Sequence, residues 1–463
     1  MRIAIVGSGY VGLVAAAGFC ELGHDVISVD NDATKIEQLA KGIVPIHEEY
    51  LPELIARHSG KRLTFSTELV EAVRLSEAIF IAVGTPSSES GEADLYYVEA
   101  VAAALAEALS SGYKVIVEKS TVPVLTNTWI RRVLLMNGAD PKSFDIVSNP
   151  EFLREGCAVL DFLYPDRIVV GSNSARARGV VAGIYEPLTS GRYYEQADCL
   201  RIAGGKPAPA LLIETSAKSA ELIKHASNAF LAMKISFINA VANLCEAVGA
   251  DIGEVARGIG TDSRIGPQFF SAGIGYGGSC FPKDLKGFHA VAEQHGVDFP
   301  LLSAAAAVND GQLERFMGKI RGALWTLKGK RLAVLGLAFK GGTDDIRESP
   351  AIGVVKQLLK EGCHVAAYDP AAMVRAKEAL AGERAIEFCE SEYDAMKGAH
   401  AVIIVTDWKS FATLDLAKAK ELLKYPIIID GRNLLDPTET AKHGFRYVSV
   451  GRSDVAAEVA AVG

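Results

Sequence analysis

The run Arg2-Ile-Ala-Ile-Val-Gly7-Ser-Gly9-Tyr-Val-Gly12 opens the chain, and Leu-Gly-His24-Asp-Val-Ile-Ser-Val-Asp30 completes the same unit. Arg2–Val6 reads as a short buried strand, Leu13–Leu22 as a helix of small residues, and His24–Asp30 as a second strand. A Gly-x-Gly-x-x-Gly run between strand and helix has a mechanical use at each glycine. Gly7 makes the tight turn, Gly9 lets a pyrophosphate approach the backbone, and Gly12 lets helix and strand pack closely. The helix N-terminus adds partial positive charge. Asp30, at the end of the second strand, suits a ribose 2′-hydroxyl and repels a 2′-phosphate, so NAD is expected rather than NADP. FAD shares the fingerprint and is the competing cofactor.

Outward from this unit, strand and helix patterns keep alternating over the first ~150 residues, with strands at Ala78–Val83, Lys114–Glu118 and Asp145–Ser148. Short apolar strands separated by helices predict a parallel sheet covered on both faces, a doubly wound α/β fold. From about Thr215 to Val248 the pattern becomes one long helix, capped by Thr215 or Ser216 and stopped by Gly249. Leu222, Ala226, Phe230, Met233, Phe237, Ala240, Leu244 and Val248 form a single apolar stripe along it. More helix follows to about residue 325. At Lys330 the alternation restarts, and Arg331-Leu-Ala-Val-Leu-Gly336 echoes the opening run, with Asp369 in the place of Asp30. This internal duplication lacks the glycine spacing, so it holds a nucleotide differently or holds none. The expected plan is two Rossmann-like doubly wound domains, 1–214 and 326–463, joined by a long central helix and helical middle domain, 215–325.

The chain has 463 residues, 49% apolar and 22% charged, with a formal net charge of −8. That size calls for two or three domains. The acidic balance, with no dense Lys/Arg run, argues against a nucleic-acid partner. No consecutive apolar run approaches the ~20 residues that span a bilayer, and the N-terminus enters a strand directly, so a cytoplasmic protein without membrane attachment is expected. The seven cysteines are scattered and never form a CxxC pair, which argues against zinc and a disulfide framework. Most of them read as small buried residues.

Cys280 is the exception. It lies in Gly275-Tyr-Gly-Gly-Ser-Cys280-Phe-Pro-Lys283-Asp284. The glycines allow close approach to a ligand. The cysteine falls near a helix start, where the helix and Lys283 lower the thiol pKa. Asp284 sits one turn on. Asn149-Pro-Glu151-Phe-Leu-Arg-Glu155-Gly156 places two carboxylates four apart, on one face if the run is helical. Lys224 and Asn228, also four apart, lie about 200° around from the apolar stripe by the 3.6-residue period. They face either solvent or a site; taken alone, solvent is the expectation. Gly84-Thr85-Pro86, Ser120-Thr121-Val-Pro123, Phe339-Lys340, Arg347 and Arg432 fall at strand ends or in nearby loops, where such sheets bind ligands.

Taken together, GSGYVG, STVP, NPEFLREG, the helix with Lys224 and Asn228, GYGGSCFPKD, AFKGGTDDIRESP and DGRN resemble the UDP-glucose/GDP-mannose dehydrogenase family over nearly the whole chain. The resemblance implies an NAD-dependent, four-electron oxidation of a nucleotide sugar. The C6 alcohol becomes an aldehyde, is trapped on Cys280 as a thiohemiacetal, and leaves as a hydrolysed thioester. Phe281 and Ile274-Gly-Tyr favour the UDP-glucose branch over the GDP-mannose branch, and Ser279 stands where UDP-N-acetyl sugar enzymes carry histidine. A two-electron hydroxyacid dehydrogenase would not need Cys280.

The resemblance also implies roles. Lys224 stabilises an oxyanion and Asn228 orients it. Asp284 positions or deprotonates a water, and Glu151 acts with Thr121 in hydrolysis. Gly7, Gly9, Tyr10, Val11, Gly12, Asp30, Lys35, Thr85, Thr121, Glu155, Lys283 and Arg347 contact NAD. The UDP-sugar is held by Glu151, Phe152, Leu153, Lys224, Asn228, Phe269, the loop from Ser271 through Tyr276 to Gly277, Phe339, Lys340 and Arg432. Arg264 reaches across a subunit interface, the central helices form the dimer of a homodimer or higher homo-oligomer, and the last domain binds UDP. The stretch from Gly191 to Ala210 is longer and more irregular than the family leads one to expect.

Overall fold

The computed structural model describes residues 1–86, 93–109, 112–201 and 207–455. The chain divides into two compact units, Met1–Ser227 with Lys286–His295, and Asn228–Leu285 with the residues from Gly296 onward.

The first unit is built on an eight-stranded sheet. Its strands are β1 (Arg2–Val6), β2 (Asp25–Val29), β3 (Leu63–Ser66), β4 (Ala78–Ile81), β5 (Lys114–Glu118), β6 (Phe144–Ser148), β7 (Arg167–Gly171) and β8 (Leu211–Thr215). They lie in the order β3-β2-β1-β4-β5-β6-β7-β8, and every pair is parallel except β6 with β7. Alternate side chains feed opposite cores, as a pleated strand requires. Ile3, Ile5 and Phe80 join one apolar cluster with Leu13 and Phe19, while Ala4, Val6, Ile79 and Ile81 join the other. Each such large side chain, fully buried, contributes roughly 1.5–3 kcal/mol. The chain reverses direction across the sheet between β1 and β4, so the crevice at their carboxyl ends is the expected ligand position.

The second unit repeats the plan with six parallel strands. These are β9 (Arg331–Leu335), β10 (His364–Tyr368), β11 (Ile386–Phe388), β12 (Ala401–Ile404), β13 (Ile427–Asp430) and β14 (Arg446–Ser449), in the order β11-β10-β9-β12-β13-β14. This matches the first six strands of the other sheet position for position. Helices Ile252–Gly260 and Pro300–Leu324 belong to this unit. Ser236 donates to Ala305 O at 2.7 Å, and Lys319 pairs with Glu246 at 2.8 Å.

The long helix spans Ala217–Val248. Ser216 Oγ accepts from Ser219 N at 3.1 Å at its start, and Gly249 ends it with φ +78°. Its amphipathicity is inverted. The apolar stripe faces outward, with Leu222 43%, Phe230 62%, Phe237 57%, Leu244 61% and Val248 67% exposed. The buried side carries Glu221, Lys224, His225, Asn228 and Asn239 among alanines. The solvent expectation for Lys224 and Asn228 is therefore overturned, at 4% and 7% exposure. The helix is long and apolar enough to cross a membrane by length and composition. Its polar groups are nonetheless held by protein. Glu221 accepts from the amides of Leu125 and Asn127 at 2.8 Å each, and His225 bonds Val122 O at 2.7 Å.

Two local expectations change. Residues 149–154 are not helical, so Glu151 and Glu155 do not share a helix face. In the irregular stretch, Arg192–Glu195 forms a 3-10 turn that buries Tyr193 and Tyr194; residues 202–206 of that stretch lie outside the described ones. Cys20, Cys199, Cys245, Cys363 and Cys389 are buried as expected, Cys157 is exposed, and Cys280 is intermediate.

Candidate active site

The Gly7–Gly12 turn has the geometry a dinucleotide needs. Gly7 has φ +102°, and a Cβ there would lie 2.6 Å from Ala82 O. A Cβ on Gly12 would lie 1.8 Å from Gly7 O, which forbids any side chain where helix meets turn. A Cβ on Gly9 would meet nothing within 4 Å, so that glycine faces open space, as pyrophosphate approach demands. Helix Tyr10–Glu21 starts at Gly9 without a side-chain cap or an acidic residue in its first turn, which leaves its amide end to an anion. Asp30 accepts from Ser8 N at 2.8 Å, Asp32 N at 3.0 Å and Lys35 Nζ at 3.0 Å. Burial opposes its ionisation, yet those two amides and the Lys35 ammonium outweigh it and hold the carboxyl below its usual range. The residues fit NAD, and Lys35 sits at the Asp30 carboxylate.

Beside this turn, Thr85 Oγ1 donates to Thr121 O at 2.8 Å and so fixes the loop after β5. Thr121 Oγ1 lies 3.5 Å from Glu151 Oε1. Glu151 is 5% exposed; its Oε1 pairs with Lys224 Nζ at 2.9 Å, and its Oε2 accepts from Leu153 N at 2.6 Å. Phe152 stacks under Arg167, 3.8 Å from the ring centroid, with Lys224 Nζ at 5.6 Å. Thr121, Glu151, Phe152, Leu153 and Lys224 thus form one cluster, and Glu155 is half-buried in the same loop.

In the second unit, Cys280 directly precedes helix Phe281–Gln294, and its carbonyl accepts from Asp284 N at 2.8 Å. The thiol therefore stands at a helix N-terminus, with Ser279 Oγ 3.6 Å away. Asp284 is 1% exposed, held by Asn228 Nδ2 at 2.6 Å and Lys283 Nζ at 2.8 Å. The glycines before the cysteine serve packing against protein. A Cβ on Gly277 would lie 2.1 Å from Glu348 O, and one on Gly278 would lie 2.7 Å from the Phe339 ring. Tyr276 exchanges backbone bonds with the Asn309 side chain.

Arg432 donates to Val405 O, Gly275 O and Phe339 O at 2.9–3.1 Å. Three of its five N–H groups thus hold the glycine loop and Phe339 in place. Lys340 lies over the Phe339 ring, Arg347 pairs with Asp345 at 2.6 Å, and Ser271 is exposed. Phe269 takes a left-handed φ of +67°. Arg264 pairs with Asp262 on an exposed turn.

Sequence reasoning missed Lys119. It is 4% exposed and donates to Asn149 O at 3.3 Å and Asn149 Oδ1 at 3.2 Å. Tyr185 OH donates to the same Oδ1 at 2.7 Å. Burial pushes the Lys119 ammonium down to about 8, against the opposing pull of Glu151 and Glu118. The signal available was a lysine directly after the strand Lys114-Val-Ile-Val-Glu118, next to Ser120-Thr121. Asn309, Gln312 and Asn239, which pin the glycine loop, carried no such signal.

Residues 1–189 match the NAD binding domain of the UDP-glucose/GDP-mannose dehydrogenase family, 218–311 its central domain, and 333–437 its UDP binding domain. The chain is 44% identical over 455 residues to UDP-glucose 6-dehydrogenase TuaD of Bacillus subtilis, covering 98% of this chain and 94% of that one. It is 45% identical over 461 residues to UDP-glucose 6-dehydrogenase of Rhizobium meliloti, covering 98% and 100%. Among solved structures, a UDP-glucose dehydrogenase from the archaeon Pyrobaculum islandicum superposes with a TM-score of 0.86 at 36% identity, covering 98% of each chain. With the cofactor turn, the thiol at a helix start and all three family domains matched in order, the chain belongs to the UDP-glucose/GDP-mannose dehydrogenase family.

Proposed function

We propose that this chain oxidises the C6 alcohol of UDP-glucose to the carboxylate of UDP-glucuronate, using two NAD⁺ and one water. The observation that carries this is that one chain holds both a built dinucleotide turn and, in its other unit, Cys280 at the start of a helix that also carries the buried Asp284. The identity to named UDP-glucose 6-dehydrogenases over nearly the whole chain supports the choice of sugar. NAD⁺ bound at the Gly7–Gly12 turn supplies the hydride acceptor for both oxidations.

The chain's own residues divide the remaining work. Lys224, desolvated beside Glu151, stabilises negative charge on the substrate oxygen as the alcohol loses its proton and again as the thiolate adds. The Cys280 thiolate attacks the aldehyde carbon to form the thiohemiacetal, which a second hydride loss converts to a thioester. Asn228 orients Asp284, and Asp284 positions the hydrolytic water. Glu151, with Thr121, takes the proton from that water as the C–S bond breaks and Cys280 is released. Phe152 and Leu153 support the sugar. Arg432 shapes the UDP seat through the loop of Ser271–Gly277 and Phe339, and Lys340 supplies charge for the diphosphate.

The three-part division at 214/215 and 325/326, and a cytoplasmic location, belong to the same reading. The exposed stripe of Leu222, Phe230, Phe237, Leu244 and Val248 supports a homodimer through the long helix, because so continuous an apolar face on a monomer calls for a partner. Arg264, exposed, is then placed to reach the second copy.

The test is a stoichiometry measurement on purified protein. Two NADH per UDP-glucose are expected, and Cys280→Ala should yield no uronate. A firm value of one NADH, or uronate at the wild-type rate from the variant, overturns the thioester route. Equal turnover of GDP-mannose overturns the assignment of the sugar.

A further inference from the structure

Glu48 belongs to neither cluster described above. It comes from the loop Pro45-Ile-His-Glu48-Glu, ahead of helix Leu51–His58, and is 4% exposed. Two distant stretches, the cofactor helix and residues 156–159, converge on its carboxyl. Gly156 N donates to Oε2 at 2.7 Å and Val159 N donates to Oε1 at 3.2 Å. The hydroxyl of Tyr10, from the first turn of the cofactor helix, also donates to Oε2. Gly156 N additionally donates to Tyr10 OH at 2.7 Å. Gly156, with φ +81°, ends the loop that carries Glu151 and Glu155 and leads into helix Ala158–Leu163.

A second contact joins the same elements. A Cβ on Gly18 would lie 2.3 Å from the Phe162 ring, so the cofactor helix and helix Ala158–Leu163 touch closely. The two contacts tie these helices together at both ends.

We propose that Glu48, acting with Tyr10, is a positioning residue that couples occupancy of the NAD turn to the placement of the Glu151–Glu155 loop. A local cap would suffice merely to satisfy the amides of a six-residue helix. The recruitment of a carboxyl 108 residues away, tied also to Tyr10, distinguishes a coupling element from a cap. Burial pushes the Glu48 carboxyl up to about 7, against the pull of the Val159, Gly156 and Ala158 amides, with Asp161 adding to the rise. Of the ionisable groups on the elements packed here, Tyr10 touches it and Asp161 acts on it; Arg154, Glu155 and Cys157 lie in the segment leading into helix Ala158–Leu163, and His47 and Glu49 flank it in its own loop. Arg154 and Asp161 pair with each other at 2.6 Å.

The inference rests on NAD binding at the Gly7–Gly12 turn, so calorimetric titration of the wild-type protein with NAD⁺ comes first; no binding there overturns both readings. Glu48→Gln keeps the shape and fixes the neutral state. At a pH about 1.5 units above the Glu48 pKa, where the wild-type carboxyl is ionised, it should weaken NAD⁺ binding roughly tenfold by calorimetry, the scale of a lost charge-assisted hydrogen bond. The KM for NAD⁺ should rise in step, while the KM for UDP-glucose stays within about twofold. The wild-type profile of kcat/KM for NAD⁺ should bend near pH 7, and the variant should be flat at the wild-type low-pH value. Tyr10→Phe should give a smaller loss, and the double variant should be no worse than Glu48→Gln alone. A Glu48→Gln protein with a lower melting temperature but unchanged NAD⁺ affinity and an intact bend makes Glu48 a structural cap and overturns the proposal. If that variant does not fold, Tyr10→Phe decides: unchanged NAD⁺ affinity overturns the coupling.

Discussion

After β1, Ser8 N donates to Asp30, whose remaining partners are Asp32 N and the partly exposed Lys35 ammonium. After β9, at the equivalent place, Leu337 N and Ala338 N both donate to Asp369 Oδ2, joined by Trp408 Nε1 at 3.1 Å. Asp369 Oδ1 accepts from Ala371 N and Ala372 N. The two turns start alike, with Gly7 at φ +102° and Gly336 at φ +98°. They diverge in what the carboxylate is for. Asp30 stays partly open and can read a ribose. Asp369, 1% exposed with five N–H donors on it, is a structural hub with no capacity left for a ligand. A duplicated fold thus does not duplicate the binding mode, and the second unit's candidate nucleotide contacts are Phe339, Lys340 and Arg432.

The sharpest way to break this comparison is to remove both carboxylates in turn. Asp369→Ala strands five donors, three of them in buried bonds, and should cost about 4 kcal/mol, read as a lower unfolding midpoint in urea. Asp30→Ala should cost only about 1 kcal/mol, since it leaves one buried donor, Ser8 N, while Asp32 N and the Lys35 ammonium reach water. Equal losses would mean that the two turns are used alike.

Next in size is a glycine pair. Gly336→Ala puts a Cβ 2.3 Å from Thr406 at a left-handed φ and should destabilise by about 3 kcal/mol. Gly9→Ala, which meets nothing, should change stability by less than about 0.5 kcal/mol while weakening NAD⁺ binding at least roughly tenfold, by blocking pyrophosphate approach. A stable Gly9→Ala protein with wild-type NAD⁺ affinity would remove the first turn from the cofactor site.

A smaller effect sharpens the cofactor reading. Asp30→Ala should weaken NAD⁺ binding by roughly five- to tenfold and narrow the preference over NADP⁺, because the ribose acceptor and the charge that repels a 2′-phosphate go together. Calorimetry with both cofactors measures it.

The three glycines, the restart at Lys330 and the thiol at a helix start were legible because each depends on a few adjacent residues: backbone angle, strand period and helix end are local properties. The burial of Lys224 and Asn228 was not. Hydrophobic periodicity assumes that the apolar side of a helix faces the protein's own core, and here Phe230, Phe237 and Leu244 face outward while the polar side is buried. Glu48 and Lys119 were invisible for a related reason. A buried charge is tolerated only where distant stretches supply partners, and Gly156 and Asn149 lie far from them in sequence. The Gly277-Gly278 pair reads correctly as close approach, but the sequence does not say that the approaching group is Glu348 and Phe339 rather than a ligand.

The smallest effect concerns the ends of the fifth strands, where the two sheets again place equivalent acids. Asp430, closing β13, is buried and satisfied by the amides of Arg432, Leu434 and Leu435 and by Tyr447 OH. Glu118, closing β5, is 2% exposed, and its Oε1 has no hydrogen-bond partner among the described residues. Burial raises both carboxyls, and for Glu118 the nearby Glu221 charge adds to the rise while Lys119 opposes it. A carboxyl whose folded pKa is raised supports the fold below its unfolded value, near 4.5, and that support is lost as pH climbs toward the folded value. Glu118→Gln substitutes one neutral group for another at pH 5, so stability there should change by less than about 1 kcal/mol. Above pH 5 the wild type alone carries the extra proton-linked slope, at most about 1.4 kcal/mol per pH unit. The variant should therefore gain on the wild type between pH 5 and pH 8 in urea unfolding. An equal gap at both pH values would mean that Glu118 is already ionised in the folded protein, with Lys119 as its true counter-charge.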